Sequence, residues 1–143
     1  MCNLILFSTD SEEDLSSASG GLFIVEPCEK DNPHEAEQYL QHPRKWQLIC
    51  RYGGCSCHFR RIITEEPEFM GPADWLPEDE DDVESTAAFF EFAGNLVNRG
   101  HRLDLVDVWD SEPQLKGTLE VSLGNVSKEE FLFFEGFRFE FSC

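Results

Sequence analysis

The chain has 143 residues and carries 29 acidic side chains against 11 Lys and Arg, a formal net charge of −18 at pH 7. Such a charge repels nucleic acid and anionic lipid, which excludes direct binding to nucleic acid or to a membrane surface. Hydrophobic residues make up 41% of the chain, so we expect one globular domain over residues 1–143. No apolar stretch approaches the roughly 18 residues of a membrane span, and the N-terminus has no charged leader, so we expect a cytoplasmic protein with reduced cysteines.

The first forty residues predict two strands and a helix. Residues 2–8 are apolar on both faces, which indicates a central strand, and residues 22–26 form a second strand that ends before a proline. A helix is expected over residues 32–41. Asn32 suits its N-cap, Pro33 suits its first position, and Glu35 completes a capping-box pattern.

Residues 83–143 predict two further helices and three strands. Apolar residues recur at helical spacing from Val83 to Val97, and Gly100 suits the position just beyond that helix. Ser127 and Glu130 form a second capping box, which predicts a short third helix. Strands are expected over residues 102–110, 118–123 and 137–141.

A glycine pair, Gly53-Gly54, separates two alternating runs at residues 46–52 and 55–63, and it predicts a β-hairpin because primed turns need positive φ. In a two-residue turn, one face of the hairpin carries Trp46, Leu48, Cys50, Tyr52, Cys55, Cys57 and Phe59. The opposite face carries Gln47, Ile49, Arg51, Ser56, His58 and Arg60.

These elements together predict an α+β fold. The expected order is β-β-α-β-β-α-β-β-α-β, in which a mainly antiparallel sheet of about six to seven strands has about three helices packed on one face.

The cysteines of the predicted hairpin have three interpretations. As small apolar side chains they suit its buried face. As a Cys₃His zinc site the ligands would be Cys50, Cys55, Cys57 and His58, although His58 points to the other strand face. As a redox pair, Cys50 and Cys57 are opposed with Cα atoms ~5.5 Å apart, within disulfide range. We expect core packing, and keep zinc binding and thiol chemistry as alternatives.

The polar face of the predicted hairpin is a candidate small-anion site. Arg51, His58 and Arg60 project together there, and guanidinium groups bind carboxylate and phosphate oxygens in pairs. Residues 62–98 hold eleven acidic residues and no basic one. The alternative is therefore that the basic hairpin and the acidic segment neutralise each other.

The acidic run before the second predicted helix is a candidate partner-binding site; it consists of Glu78, Asp79, Glu80, Asp81 and Asp82. Carboxylates at a helix N-terminus counter its dipole, and an exposed acidic run also favours a basic protein partner. We therefore expect a non-enzymatic binding or regulatory module that engages a basic protein. The alternatives are the thiol- or zinc-dependent protein and the anion-binding protein described above. The chain has no nucleotide-binding or hydrolase motif, so no catalytic residue is assigned, and zinc is the one cofactor considered.

The opening dipeptide Met1-Cys2 resembles that of class II glutamine amidotransferases. That resemblance implies that, once Met1 is removed, the α-amino group of Cys2 acts as the base for its own thiol. The match is limited to the dipeptide, and Asn3 stands where the family usually has glycine. Cys2 equally suits the start of the first strand.

Overall fold

The computed structural model describes residues 2–18, 21–72 and 78–143. A six-stranded sheet has the order β2-β3-β1-β5-β8-β6, and a second sheet pairs β4 with β7. The strands are β1 (Asn3–Thr9), β2 (Phe23–Pro27), β3 (Arg44–Cys50), β4 (Arg61–Ile62), β5 (Leu103–Trp109), β6 (Gly117–Ser122), β7 (Phe133–Phe134) and β8 (Phe137–Ser142). In the described ranges there is one α-helix, α1 (Glu80–Asn98).

Strand β1 is central, as its apolar residues on both faces predict. It pairs with β3 on one edge and β5 on the other, both antiparallel. Its side chains alternate, so Ile5 and Phe7 enter one core while Leu4 and Leu6 enter another. The prediction for residues 2–8 is confirmed to within one residue at each end.

Helix α1 covers one face of the large sheet through an aromatic core. Phe89 is fully buried, with its ring centroid 6.0 Å from Phe7 and 5.8 Å from Phe133. Asp79 caps the helix by accepting a hydrogen bond from the Asp81 N–H, 2.8 Å away. No helix in the described part of the chain is both long and apolar enough to cross a membrane.

The fold-class prediction of three helices on one face of a mainly antiparallel sheet was wrong. The large sheet is mixed, because β6 runs parallel to β8, and the described ranges contain one α-helix in place of the expected three. Residues 32–41 form only a short 3-10 helix, Glu35–Tyr39, capped by His34 rather than by Asn32. This turn lies between Pro33 and Pro43, which leaves little room for a longer helix. It packs Ala36 onto the face of the sheet opposite α1.

The expected third helix is a single turn. Half of its capping box is present, because the Ser127 N–H donates to Glu130 Oε1 at 3.1 Å. The helix does not continue, since four successive side chains after Glu130 are all buried, which one face of a surface helix does not allow; they are Phe131, Leu132, Phe133 and Phe134. The last two form β7, and the Phe133 N–H donates to the Arg60 carbonyl at 2.8 Å.

The predicted hairpin is half formed. Gly53 and Gly54 have φ of 82° and 84°, as a tight turn of the predicted kind requires. The loop is longer than two residues, however, because the Cys50 N–H donates to the Cys55 carbonyl at 2.8 Å. Strand β3 pairs with β2 on one edge and with β1 on the other. Residues 55–63 therefore cannot pair with β3 as the second strand of a hairpin. Only Arg61–Ile62 is extended, and it pairs with β7.

Candidate functional site

Three thiols converge at one end of the large sheet. The Sγ atoms of Cys2, Cys55 and Cys57 all lie within 4.8 Å of one another, and each residue is partly buried. Cys2 directly precedes β1, whereas the other two follow the glycine turn. A tetrahedral site with metal–sulfur bonds of about 2.3 Å separates its sulfur atoms by about 3.8 Å. A small contraction therefore brings all three sulfurs onto one ion.

Ser56 ties the Cys55-Ser56-Cys57 segment to the sheet. It is fully buried, and its hydroxyl accepts from the Ile5 N–H at 3.0 Å and donates to the Leu48 carbonyl at 2.5 Å. Its own N–H donates to the Asn3 carbonyl at 3.3 Å. These bonds lie across the ends of β1 and β3, so they set the two flanking cysteines beside the start of β1.

A buried ion pair holds the same segment from the other side. Arg61 donates to Asp107 through Nε at 2.7 Å and Nη2 at 2.9 Å, a bidentate arrangement. The guanidinium also donates to the carbonyls of Ser56 and Cys57, at 2.9 and 3.4 Å. Burial raises the pKa of the Asp107 carboxyl above its ordinary range, and the adjacent Arg61 opposes that rise. The thiol-bearing backbone is therefore bonded to an ion pair whose carboxylate is fully buried and whose guanidinium is largely buried.

Two of the four predicted zinc ligands belong to the thiol cluster and two do not. Cys55 and Cys57 are members. Cys50 is a core residue, 1% exposed, and its thiol contacts the Gly53 carbonyl at 3.7 Å. His58 is exposed, with Nδ1 3.8 Å from an oxygen of Asp82. The member missing from the predicted set is Cys2, which sequence reasoning had singled out for a different chemistry.

The three predicted anion-binding residues bind different carboxylates of the chain itself. Arg51 donates to Glu84 at 3.1 Å and to the Ser85 hydroxyl at 2.8 Å, so it lies against the first turns of α1. Arg60 is only 3% exposed and donates through Nε to Glu78 at 2.5 Å. His58 lies beside Asp82, so the three side chains contact different carboxylates and share none.

The acidic run is likewise engaged at several positions. Asp81 accepts a hydrogen bond from the Tyr52 hydroxyl and lies 3.7 Å from Arg51. Burial raises the pKa of Asp82, and the nearby charge of Asp79 adds to that rise. The side chains of Asp79 and Glu80 are exposed. The loop that holds two of the three thiols is thus bonded to the start of α1.

The chain matches no protein-family model, no curated protein and no solved structure. The resemblance of the opening to class II glutamine amidotransferases therefore rests on its dipeptide, of which Met1 lies outside the described residues. What the described part of the chain shows is a cysteine cluster able to hold a metal ion, in an α+β fold.

Proposed function

We propose that this protein binds one thiophilic metal ion through Cys2, Cys55 and Cys57. The observation that supports the proposal is the approach of the three sulfur atoms to within 4.8 Å of one another, from two separate parts of the chain. Thiolate sulfur is the donor that zinc and other soft ions bind most readily in proteins.

The surroundings of the thiols favour binding in two ways. Ser56 and Arg61 fix the backbone of the segment, so little conformational freedom is lost when an ion binds. The thiols are only partly buried, which leaves a route from solvent, and a net charge of −18 attracts cations to the surface. Because each ligand must be a thiolate, uptake of the ion releases protons and weakens in acid.

Zinc is the probe for this proposal. Reduced, oxygen-free protein is titrated with Zn²⁺ against a chelator of known affinity, alongside three variants, Cys2→Ser, Cys55→Ser and Cys57→Ser. We expect one ion per chain, and each variant loses more than about 100-fold in affinity, beyond the 10–100-fold typical of outer-shell changes. Cys143→Ser is the matched control, since that exposed thiol contacts Val97 and Asn98 instead. Equal zinc affinity in all five proteins would rule the proposal out.

A second candidate function is the binding of a basic protein by the acidic run. The exposure of Asp79 and Glu80 favours it, because both residues are accessible at the helix start, although one oxygen of Asp79 also caps the helix. The test is the double variant Asp79→Asn/Glu80→Gln, in which Asn still caps the helix. A partner captured from native lysate by the parent protein should be lost by this variant and retained by Glu112→Gln. Equal capture of the partner by the parent and both variants would exclude the acidic run as its binding surface.

A further inference from the structure

The number of donors limits which ion suits the site. Three sulfurs converge, and no fourth His, Cys, Asp or Glu joins them among the described residues. Structural zinc sites use four protein ligands, and iron–sulfur clusters are generally held by four cysteines. The three sulfur atoms therefore complete the coordination of an ion that takes three ligands. Thiolates also select Cu(I) among the soft metals.

Three nitrogen and oxygen donors of neighbouring residues are engaged elsewhere. His58, which follows Cys57 in the chain, turns toward Asp82. Asp107 is enclosed with Arg61, and Glu135 accepts a hydrogen bond from the Asn3 side chain at 2.7 Å. A zinc ion at the three thiols would therefore complete its shell from solvent, whereas a three-coordinate ion requires nothing more.

From these observations we infer that Cys2, Cys55 and Cys57 form a trigonal thiolate site for monovalent copper. The inference rests on the proposed metal-binding function and specifies its ligand. It assigns Cys2 a defined role, because Cys55 and Cys57 alone would give two-coordinate copper. The third sulfur is contributed by the residue preceding β1, which Ser56 holds beside the other two through the Asn3 carbonyl.

The test counts the atoms around copper. Reduced protein is loaded anaerobically with one equivalent of Cu(I), and copper K-edge X-ray absorption is recorded for the parent protein, Cys2→Ser and Cys143→Ser. We expect three sulfur neighbours and no nitrogen or oxygen in the parent and in Cys143→Ser. Cys2→Ser should show two sulfurs and a fall of more than about tenfold in Cu(I) affinity against a competing Cu(I) chelator. Circular dichroism checks that each variant is folded, and Cys57→Ser replaces Cys2→Ser where it is not.

Two results separate this inference from the proposal on which it rests. Stoichiometric zinc binding that depends on the three cysteines, together with two-sulfur copper in the parent protein, overturns trigonal copper and leaves metal binding intact. Zinc and copper affinities that are both unchanged in the cysteine variants overturn the two together.

Discussion

Arg61 and Asp107 form a bidentate ion pair in which the carboxylate is fully buried, and the same guanidinium donates to the backbone carbonyls of Ser56 and Cys57. The pair thus joins β5, in the middle of the large sheet, to the segment that bears two of the three clustered thiols. A buried pair of this kind is costly to break, because the remaining charge cannot be hydrated.

Asp107→Ala should lower the free energy of unfolding by about 3–5 kcal/mol, because it leaves the Arg61 guanidinium without its counter-charge in a buried site. Urea unfolding near neutral pH measures the change. The double variant Arg61→Met/Asp107→Leu is the control, since it removes both charges. The free energy of unfolding that it loses should be clearly smaller than the sum of the losses in the single variants Arg61→Met and Asp107→Leu. Additive costs would mean that the two side chains are not energetically coupled.

Ser56→Ala should lower the free energy of unfolding by about 1–3 kcal/mol, because it leaves the buried Ile5 N–H and Leu48 carbonyl without the hydroxyl. Amide hydrogen exchange gives a local readout. In Ser56→Ala, the exchange rate of the Ile5 amide should rise relative to the parent by more than the rates of its neighbours in β1. Ser16→Ala, at an exposed position, should change stability by less than about 0.5 kcal/mol. An unchanged Ile5 exchange rate would contradict the role given to the Ser56 hydroxyl.

Asp82 should make stability depend on pH in the acid range. Burial raises the pKa of Asp82 above its ordinary value of 3.8, so the native protein holds this proton to a higher pH than the unfolded chain. Ionising Asp82 therefore costs stability as pH rises through and above 3.8. Relative to the parent, Asp82→Asn should become more stable as pH rises above 3.8, and the difference should level off once the native carboxyl is ionised, measured by urea unfolding at each pH.

The neighbouring His58 provides the control for this trend. Its positive charge lowers the pKa of Asp82 and so offsets part of the effect of burial. In a His58→Gln background, the gain from Asp82→Asn should be larger, because the ionised carboxylate has lost a favourable neighbour. The predicted sign of the Asp82 effect would be wrong if the stability gain from Asp82→Asn were smaller in the His58→Gln background. It would also be wrong if the stability difference between Asp82→Asn and the parent did not vary with pH.

Phe133→Ala should lower the free energy of unfolding by about 3–5 kcal/mol, because removing this fully buried aromatic ring leaves a cavity between the two sheets and α1. The Phe133 ring contacts four others, of Phe59, Phe89, Phe131 and Phe139. Phe69→Ala, at a half-buried position, should cost less. Calorimetric or urea unfolding of the two variants compares them directly, and equal costs would contradict this description of the core.

Local patterns predicted most strands and the long helix. Alternating or two-sided apolar runs located β1, β5 and β8, and the acidic start and Gly100 bracketed α1. They overestimated the short helices, because a capping box is satisfied by a single turn as readily as by a helix: the observed box of the first turn is formed by His34 and Glu37 rather than Asn32, and the Ser127 box is half formed. The parallel pairing of β6 with β8 involves a long connection, which local patterns do not report.

The sequence predicted two of the three clustered thiols, because local patterns do not report pairing between distant strands. Cys55 and Cys57 are close in sequence, and their spacing drew attention to them. Cys2 joins them because β1 occupies the edge of β3 that a regular hairpin would have used. That pairing joins residues from 35 positions apart (Thr9 with Arg44) to 43 positions apart (Ile5 with Leu48). The glycine turn therefore predicted the correct backbone angles and the wrong strand register. The remaining signal in the sequence was a cysteine at the start of a strand apolar on both faces.

Alkylation of each cysteine, followed by mass spectrometry, tests most directly whether three thiols bind one ion. Reduced protein is treated with a thiol reagent with and without one equivalent of zinc, and the modification rate is read for each residue. We predict that the ion slows labelling of Cys2, Cys55 and Cys57 together and leaves that of the exposed Cys143 unchanged. Labelling rates of the three clustered cysteines that zinc does not change, or protection of Cys55 and Cys57 without Cys2, would contradict a shared site.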